Sequence, residues 1–376
     1  MTAVAPGRAG RARGHRRADN GGTAITAARS GVVLQGVDAP GAFGGMVGEI
    51  EGLGFDYLWL TDSSLHARNC YSYLTLAAAS SSRLLLGTAV TNPATRHPAI
   101  TAAAAATVDE ISGGRMILGI GAGDRPLLAL GLKPSPLATI EAAVTGIRSL
   151  WRGEEVDLAA GDFALNGAHL RFPARPDIPV FISASGPKTL ELAGRIADGV
   201  ILLVGLFPEA LDWAISRVAR GAEAAGRPRP EVAVFAYGAV DEDEDTALEQ
   251  ARSIAAWFPQ TAPHICDLAG LPPGLADRVR SAYQGGEFQE AATAARQLPD
   301  EFVRKVALAG NRRRAAAQIR AALDAGADSV HVFPLGDRRM DTIRAFAAAW
   351  TLAADDPQRD SGALKRPGIT GGGPGR

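Results

Sequence analysis

The sequence predicts a protein of the α/β class, folded as a (β/α)8 TIM barrel with insertions. From Gly31 onward, short apolar runs alternate with longer alanine-rich stretches, which is the rhythm of parallel βα units. Eight such runs precede residue 334, whereas an open doubly wound sheet usually has about five or six strands. A chain of 376 residues is also long enough for one barrel of roughly 250 residues with added segments.

Each predicted strand is short and apolar, and most predicted helices are rich in alanine. The predicted strands cover residues 32–36, 57–60, 84–90, 116–120, 180–183, 200–203, 232–237 and 329–333. The predicted helices cover residues 42–53, 71–80, 99–111, 137–151, 188–196, 208–225, 313–325 and 342–353. Because a closed barrel of this type needs eight parallel strands, the count favours a barrel over an open sheet.

One barrel domain is expected over residues 31–354, with extra segments at both ends and inside it. Residues 155–172 predict a small β-rich insertion, and residues 257–309 predict a long helical insertion punctuated by prolines. Insertions of this kind usually lie at one face of a barrel, where they shape substrate entry. Residues 1–30 are expected to be a disordered basic arm, with a transit peptide as the alternative, and residues 355–376 a disordered tail.

Composition excludes several classes of protein. The formal net charge of −1 offers no general attraction to phosphate backbones, so no nucleic-acid partner is expected. The most apolar stretch, residues 99–108, has about half of the roughly 20 residues that a membrane-spanning helix needs, so no membrane partner is expected. Cys70 and Cys266 provide neither a disulfide framework nor metal-ligand spacing, which predicts no metal site and a cytoplasmic location.

Active sites of (β/α)8 barrels lie at the carboxyl ends of the strands, so polar residues there are the candidates for chemistry. Asp62 and Asp124 are the carboxylates placed directly after strands two and four. Such an acid can orient a ring by accepting N–H bonds, or it can exchange a proton with a reacting intermediate. The alternative is that each aspartate caps the helix or turn that follows it. We take both as candidate catalytic residues.

Two turns between a strand and a helix suggest a bound anion. Gly121 and Gly123 follow strand four, and glycine lets the backbone approach a ligand closely, although a tight turn without a ligand explains the same pattern. After strand five, Gly186 and Pro187 begin a helix to which Lys188 adds a positive charge. Backbone donors, helix dipole and lysine together favour a phosphate group.

Two further residues near strand ends carry weaker indications. Arg338 follows strand eight, where barrels of this type commonly complete a phosphate site, so it either closes that site or is solvated in an arginine-rich chain. His97 precedes Pro98 at a predicted helix start, where we expect a structural role rather than a catalytic one.

Three stretches carry a family resemblance: GFDYLWLTD at residues 54–62, the run from GTAVTNPATRHP to GIGAGD at residues 87–124, and PVFISASGPKTLELAGRIADGVIL at residues 179–202. They resemble the bacterial-luciferase-like superfamily, and most closely its deazaflavin-dependent branch, which is typified by methylenetetrahydromethanopterin reductase. The good match extends over residues 31–205, with a weaker echo over residues 311–348.

The resemblance implies a barrel that binds a flavin-like cofactor at its C-terminal face. In the deazaflavin branch a non-proline cis peptide lies at the end of strand three, which here corresponds to Ala89 and Val90. Asp62 matches an aspartate of the family, whereas the next position, often histidine in relatives, is Ser63 here. The residues expected to bind the cofactor are Asp62, Ser63, Ala89, Val90, Thr91, Asn92, Gly121, Gly123, Gly186, Pro187, Lys188 and Arg338.

The leading functional hypothesis is therefore an oxidoreductase that uses coenzyme F420, a deazaflavin, for hydride transfer to or from a small organic substrate. The alternative is an FMN-dependent monooxygenase of the same superfamily. A barrel without catalytic activity is a third reading, but it would have no need of acids and phosphate donors at one face. The family resemblance also implies a homodimer.

Overall fold

The computed structural model describes residues 28–63, 65–124, 126–161, 163–283 and 288–354. The predicted N-terminal arm lies outside these residues up to position 27, and the predicted C-terminal tail lies outside them entirely.

Most of the described strands are short and buried. They are β1 Arg29–Leu34, β2 Tyr57–Leu60, β3 Leu85–Thr88, β4 Met116–Ile120, β5 Val156–Ala160, β6 Phe163–Ala168, β7 Val180–Ala184, β8 Gly199–Leu202, β9 Glu231–Val240, β10 Leu308–Gly310 and β11 Ser329–Pro334. The β5 and β6 strands pair with each other in antiparallel fashion, and every other pairing is parallel.

Eight of the strands form a closed parallel barrel. Neighbours follow the order β1, β2, β3, β4, β7, β8, β9 and β11, and the pairing of β11 with β1 closes the ring. All eight coincide with predicted strands, so the predicted (β/α)8 barrel is confirmed.

Helices connect the barrel strands and form the insertions. They are α1 Pro40–Gly52, α2 Cys70–Ser80, α3 Pro98–Ser112, α4 Pro126–Ala129, α5 Leu137–Trp151, α6 Pro187–Ile196, α7 Pro208–Ala224, α8 Glu244–Ala255, α9 Trp257–Thr261, α10 Pro263–Leu268, α11 Pro273–Ala282, α12 Phe288–Ala295, α13 Asp300–Val306, α14 Arg312–Asp324 and α15 Arg339–Ala354. None of these described helices combines the length and apolarity needed to cross a membrane.

Local sequence explains where several helices begin. The α3 helix starts with Pro98, and the Nδ1 atom of His97 accepts a hydrogen bond from the backbone N–H of Ala99. The other ring nitrogen, Nε2, lies 3.1 Å from the carbonyl oxygen of Ala164 in β6, so His97 also connects α3 to the antiparallel pair β5–β6. The structural role expected for His97 is confirmed. Asn69 and Asn311 cap α2 and α14 in the same manner.

The structure departs from the predicted strands at several places, including β1, which begins at Arg29 rather than at residue 32 and ends at Leu34 rather than at residue 36. The β3 strand ends at Thr88 rather than at residue 90. Just beyond it, the peptide bond between Ala89 and Val90 is cis, as the resemblance implied. The β9 strand continues to Val240 because its last three residues pair with β10. The β10 strand lies within the segment predicted to be helical, and its three residues, Leu-Ala-Gly, are too few to show a strand periodicity.

Side chains fill the lower and middle parts of the barrel. The indole Nε1 of Trp59 donates a hydrogen bond to Nδ1 of His331 at 3.0 Å, and Nε2 of His331 lies 2.8 Å from the hydroxyl of Ser329. Below them, the Tyr57 hydroxyl donates to Glu231 at 2.7 Å. Tyr57, Glu231 and Ser329 are the first residues of their strands, and Trp59 and His331 are the third. The amino end and the middle of the barrel are therefore packed, and a ligand enters from the carboxyl end.

Candidate active site

A cavity of about 400 Å³ lies at the carboxyl ends of the barrel strands. This volume is within the range of about 300–1,000 Å³ that is typical of small-molecule sites. Most of the residues predicted to act at the site line this cavity. They are Asp62, Ser63, Ala89, Val90, Asn92, Gly121, Gly123, Asp124 and Gly186. Four others are not among the lining residues, namely Thr91, Pro187, Lys188 and Arg338.

Asp62 is buried and held by an ion pair. Its Oδ1 and Oδ2 atoms accept hydrogen bonds from the guanidinium of Arg96 at 3.1 and 3.2 Å, and Oδ2 also accepts from the Thr91 hydroxyl at 2.9 Å. Burial and the neighbouring Asp62 carboxylate raise the pKa of the Cys70 thiol. Asp62 does not cap α2, because Asn69 does. The capping alternative is therefore wrong for Asp62, and Thr91 contributes through Asp62 rather than from the cavity wall.

Asp124 is exposed at the mouth of the cavity. Its Oδ2 accepts a hydrogen bond from the indole Nε1 of Trp257 at 3.1 Å, and Trp257 is itself buried at the start of α9. The contact joins the turn after β4 to the insertion of residues 257–309. The insertion therefore positions a carboxylate at the entrance.

Three positions around the end of β4 are occupied by glycine, and the physical reason for glycine differs at each of them. A Cβ atom on Gly119 would lie 1.9 Å from the carbonyl oxygen of Thr88, so β3 and β4 approach too closely for any side chain there. On Gly121, a Cβ would meet the Val90 side chain at 3.0 Å, and Gly123 has a φ of +89°. The glycines are therefore required mainly by backbone packing and conformation. As a further result, the cavity wall has no side chains at Gly121 and Gly123.

The turn between β7 and α6 contributes Ser185, Gly186 and Thr189 to the cavity lining. The Nε2 atom of His264, in the insertion helix α10, lies 2.8 Å from the Ser185 carbonyl oxygen. A carbonyl can only accept, so Nε2 carries the proton, and burial lowers the pKa of His264. Lys188 belongs to the same helical turn, but its side chain is exposed.

Arg338 does not reach the α6 turn. Its guanidinium forms ion pairs with Asp241 at 3.0 Å and Asp341 at 3.7 Å, and the side chain is 66% exposed. The neighbouring Arg339 is paired with Asp38 at 2.6 Å. Carboxylates close in the fold therefore occupy both arginines, and the structure supports the solvated reading of Arg338.

One wall of the cavity is apolar, and this wall was not anticipated from the sequence. Tyr237 and Phe333 stack with ring centroids 4.2 Å apart, and Phe235, Leu203 and Trp257 extend the same surface. Phe333 and Tyr237 lie near the ends of predicted strands, so their positions were available from the strand pattern. Trp257 and His264 had no local indication, because only the tertiary fold brings the insertion over the barrel.

A larger groove of about 750 Å³ lies near the start of β7 and β8, away from the carboxyl ends of the strands. It is rich in arginine, but all four guanidinium groups there already have partners. Arg148 pairs with Asp198, Arg152 with Glu154, Arg195 with Glu141, and Arg227 with the carbonyl oxygen of Ala197. The groove is therefore a weaker candidate for a ligand site than the cavity at the carboxyl ends.

A family model described as luciferase-like monooxygenase matches residues 20–329. The chain belongs to the luciferase-like monooxygenase family. The resemblance predicted from the sequence is thus confirmed, and the barrel with its carboxyl-end cavity is the family's architecture in this chain.

This luciferase-like chain is similar to several characterised proteins. It is 33% identical over 297 residues to 5,10-methylenetetrahydromethanopterin reductase of Methanolobus tindarius, covering 77% of this chain and 90% of the relative. It is 33% identical over 277 residues to the F420-dependent glucose-6-phosphate dehydrogenase of Microbacterium testaceum, covering 68% and 80%. The solved coenzyme F420-dependent tetrahydromethanopterin reductase of Methanopyrus kandleri aligns with a TM-score of 0.76 at 28% identity, covering 86% of this chain and 98% of that one.

The described residues of this family member contain no cluster of three or more His, Cys, Asp or Glu side chains suited to a metal ion. The side chains that line the cavity are instead carboxylates, hydroxyls, one amide-bearing asparagine, one glutamine and the apolar wall. Such a lining is suited to an organic cofactor and an organic substrate.

Proposed function

We propose that the protein is an oxidoreductase that uses coenzyme F420 to transfer a hydride to or from a small organic substrate at the carboxyl end of the barrel. The relatives named above support the cofactor class. The observation that carries the proposal is the set of groups that line one cavity. Hydroxyl and backbone groups of the α6 turn lie on one side of it, Asp62 and Thr61 lie on another, and the apolar wall forms the remainder.

The residues present fit a deazaflavin. The Thr61 side chain lines the cavity, and its buried Oγ1 has no hydrogen-bond partner among the described residues, so a ring carbonyl or N–H group would satisfy it. The glycine positions 121 and 123 leave the wall flat, and the Ala89–Val90 segment lies beside them. When bound, F420 supplies a two-electron hydride donor or acceptor. The protein supplies orientation and charge.

The acids have different tasks in this proposal. Asp62 is fixed by Arg96 and Thr91, so it orients a polar edge of the ring. Asp124 is exposed and accepts a hydrogen bond from Trp257, so it is the group that delivers or removes a proton at the substrate. Ser63 and Asn92 line the cavity beside Asp62 and add neutral hydrogen-bonding groups.

The phosphate of the cofactor is assigned to the α6 turn. Ser185, Gly186 and Thr189 line the cavity there, and Pro187 at the first helical position leaves the remaining N–H groups free to point at an anion. Lys188 adds a positive charge in the same turn from an exposed position. We do not include Arg338, because Asp241 and Asp341 hold it.

The FMN-dependent monooxygenase remains the second candidate, because the matching family model carries that description. Equilibrium titration of the purified protein with F420 and with FMN, followed by fluorescence, separates the two. We expect F420 to bind at least tenfold more tightly than FMN, and we expect no oxygen uptake with reduced FMN. Tight FMN binding with oxygen uptake and no F420 binding would overturn the proposal.

We also propose that the protein is a homodimer that works in the cytoplasm on small molecules, without a nucleic-acid partner. Ile100 and Ile111 support the dimer, because both are exposed apolar side chains on α3 and lie three helical turns apart on one face. The buried, unpaired Cys70 and Cys266 support a reducing location. Sedimentation equilibrium should give twice the mass of 38.9 kDa.

A further inference from the structure

A second cavity adjoins the candidate active site at the carboxyl end of the barrel. Its volume is about 420 Å³, and it lies between the ends of β1 and β11, the helix α8 and the insertion helix α12. Gln35 and Phe333 line both cavities. A ligand that reaches these two residues from the active site therefore stands at the entrance of the second cavity.

The wall of the second cavity is mainly apolar. Val33, Leu34, Ala292, Pro334 and Leu335 contribute hydrocarbon or backbone surface. At the entrance, Phe333 is stacked against Tyr237, so an aromatic face continues from the apolar wall of the active site toward the second cavity. Apolar surface of this extent favours a ligand that has a hydrocarbon or aromatic body.

Ion pairs engage the charged side chains that line the second cavity, and they engage Asp62 in the first. Among the described residues that line the active-site cavity there is no lysine or arginine. In the second cavity, Arg339 is paired with Asp38 at 2.6 Å, and Glu249 is paired with Arg252 at 2.8 Å. A phosphorylated or carboxylated substrate would leave its charge without a free cation there, which is costly.

Neutral polar groups remain at the second cavity. Within the described part of the chain, the side-chain amides of Gln35 and Gln250 have no hydrogen-bond partner, and Ser253 also lines this cavity. The Gln250 side chain packs on Gly336, where an added Cβ would lie 2.7 Å from Oε1. These groups can accept or donate one hydrogen bond each to an uncharged polar end of a ligand.

We propose that the second cavity is the part of the substrate site that takes the body of an uncharged, elongated and mainly apolar substrate. The reacting end lies in the first cavity, and the remainder passes Gln35 and Phe333 into the second. This inference rests on the proposed function, because it assigns the first cavity to the cofactor and the reacting end. It distinguishes this chain from its relative named for glucose 6-phosphate.

The test uses a series of neutral probes that differ only in length: 2-butanone, 2-pentanone, 2-hexanone and 2-octanone. Their binding is measured by calorimetry on the full-length protein, with and without F420, and glucose 6-phosphate serves as the charged probe. We expect affinity to rise about fourfold per methylene group as the chain enters the second cavity. We expect no measurable binding of glucose 6-phosphate.

Two variants fill the second cavity. Ser253→Phe on α8 should abolish the increase in affinity from 2-butanone to 2-octanone while F420 affinity stays unchanged. If Ser253→Phe does not fold, Ala292→Trp on α12 replaces it, with the same expected result. The matched control is Ser216→Phe, at an exposed position of α7 outside both cavities, which should keep the wild-type gradient.

The outcomes separate the two proposals. Failure of F420 to bind overturns the proposed function. Normal F420 binding without a chain-length gradient, an unchanged gradient in the folded cavity-filling variant, or tighter binding of glucose 6-phosphate than of 2-octanone overturns the assignment of the second cavity.

Discussion

Asp62 and Asp124 line one cavity, yet their surroundings differ. Arg96 and Thr91 hold both oxygens of Asp62 within a buried cluster, whereas Asp124 is exposed and, among the described residues, accepts a side-chain hydrogen bond from Trp257 alone. A carboxylate that is fully engaged is suited to orientation, and a carboxylate with exposed oxygen is suited to proton exchange. The difference supports the different tasks that we propose for the two acids.

Asp124→Asn tests the proton-transfer task. Asparagine keeps the acceptor for Trp257 but cannot exchange a proton, so turnover of the substrate should fall about 10²- to 10⁴-fold while F420 affinity and thermal stability are unchanged. Steady-state kinetics on the preferred ketone or alcohol would measure the loss, and Asp277→Asn on the exposed face of α11 is the control. Full turnover with an unchanged pH profile would make Asp124 a structural residue.

His331 provides a test of the barrel interior through pH. Burial, and then the charge of Arg29, lower its pKa to about 3. The unfolded chain takes up a proton on this histidine below about pH 6.5, and the native state does not. Stability from this group is therefore complete above pH 6.5, and it falls by about 1.4 kcal/mol per pH unit as the pH drops toward 3.

The measurement is urea unfolding of the wild type and of His331→Asn between pH 7 and pH 4.5. Asparagine retains an acceptor for Trp59 but does not titrate, so the stability difference between the two proteins should shrink as the pH falls. Parallel pH profiles for the two proteins would show that His331 is not the group responsible.

Elements that depend on local pattern were predictable, and those that depend on tertiary contact were not. The barrel strands are apolar runs followed by helices, so the order β1 to β4 could be read directly. The β10 strand exists only because Gly238–Val240 offers it a parallel partner, and Trp257 reaches Asp124 only because the insertion folds back. Sequence reasoning also chose Lys188 for its charge, while Thr189, one residue later, is the one that lines the cavity.

The β3–β4 contact gives a prediction at the scale of elements. Gly119→Ala would drive a methyl group into the Thr88 carbonyl, so we expect the free energy of unfolding to fall by about 2–4 kcal/mol. Gly48→Ala in the exposed part of α1 meets no atom within 4 Å and should stabilise by up to about 1 kcal/mol. Chemical denaturation measures both, and equal stability of the two variants would contradict the close approach of β3 and β4.

The α6 turn gives a second prediction at this scale. Thr189→Val removes a hydroxyl from the cavity lining, and we expect F420 affinity to fall about tenfold or more, as for loss of a charge-assisted hydrogen bond. Lys188→Ala removes an exposed charge, so its effect should be about two- to threefold and should diminish with added salt. Fluorescence titration with F420 compares the affinities of the two variants. A larger loss of affinity in Lys188→Ala than in Thr189→Val would contradict the proposed position of the phosphate beside Thr189.

At the scale of the whole molecule, one end of the barrel is packed and the other is open. Trp59, His331 and Tyr57 occupy the amino end and middle, so the cavity at the carboxyl end is the site available to a cofactor within the barrel. The arginine-rich groove near the start of β7 and β8 is the rival for an anionic cofactor, although its guanidinium groups are paired. The location of F420 decides between these two places.

Hydrogen–deuterium exchange of the wild-type protein, with and without saturating F420, tests this location most directly. We expect F420 to slow amide exchange in residues 61–63, 88–92 and 184–189, at the carboxyl ends of the strands, and to leave residues 144–152 and 195–198 unchanged. Protection centred on the arginine-rich groove, or no protection at the carboxyl ends despite bound F420, would contradict the assignment of the active site.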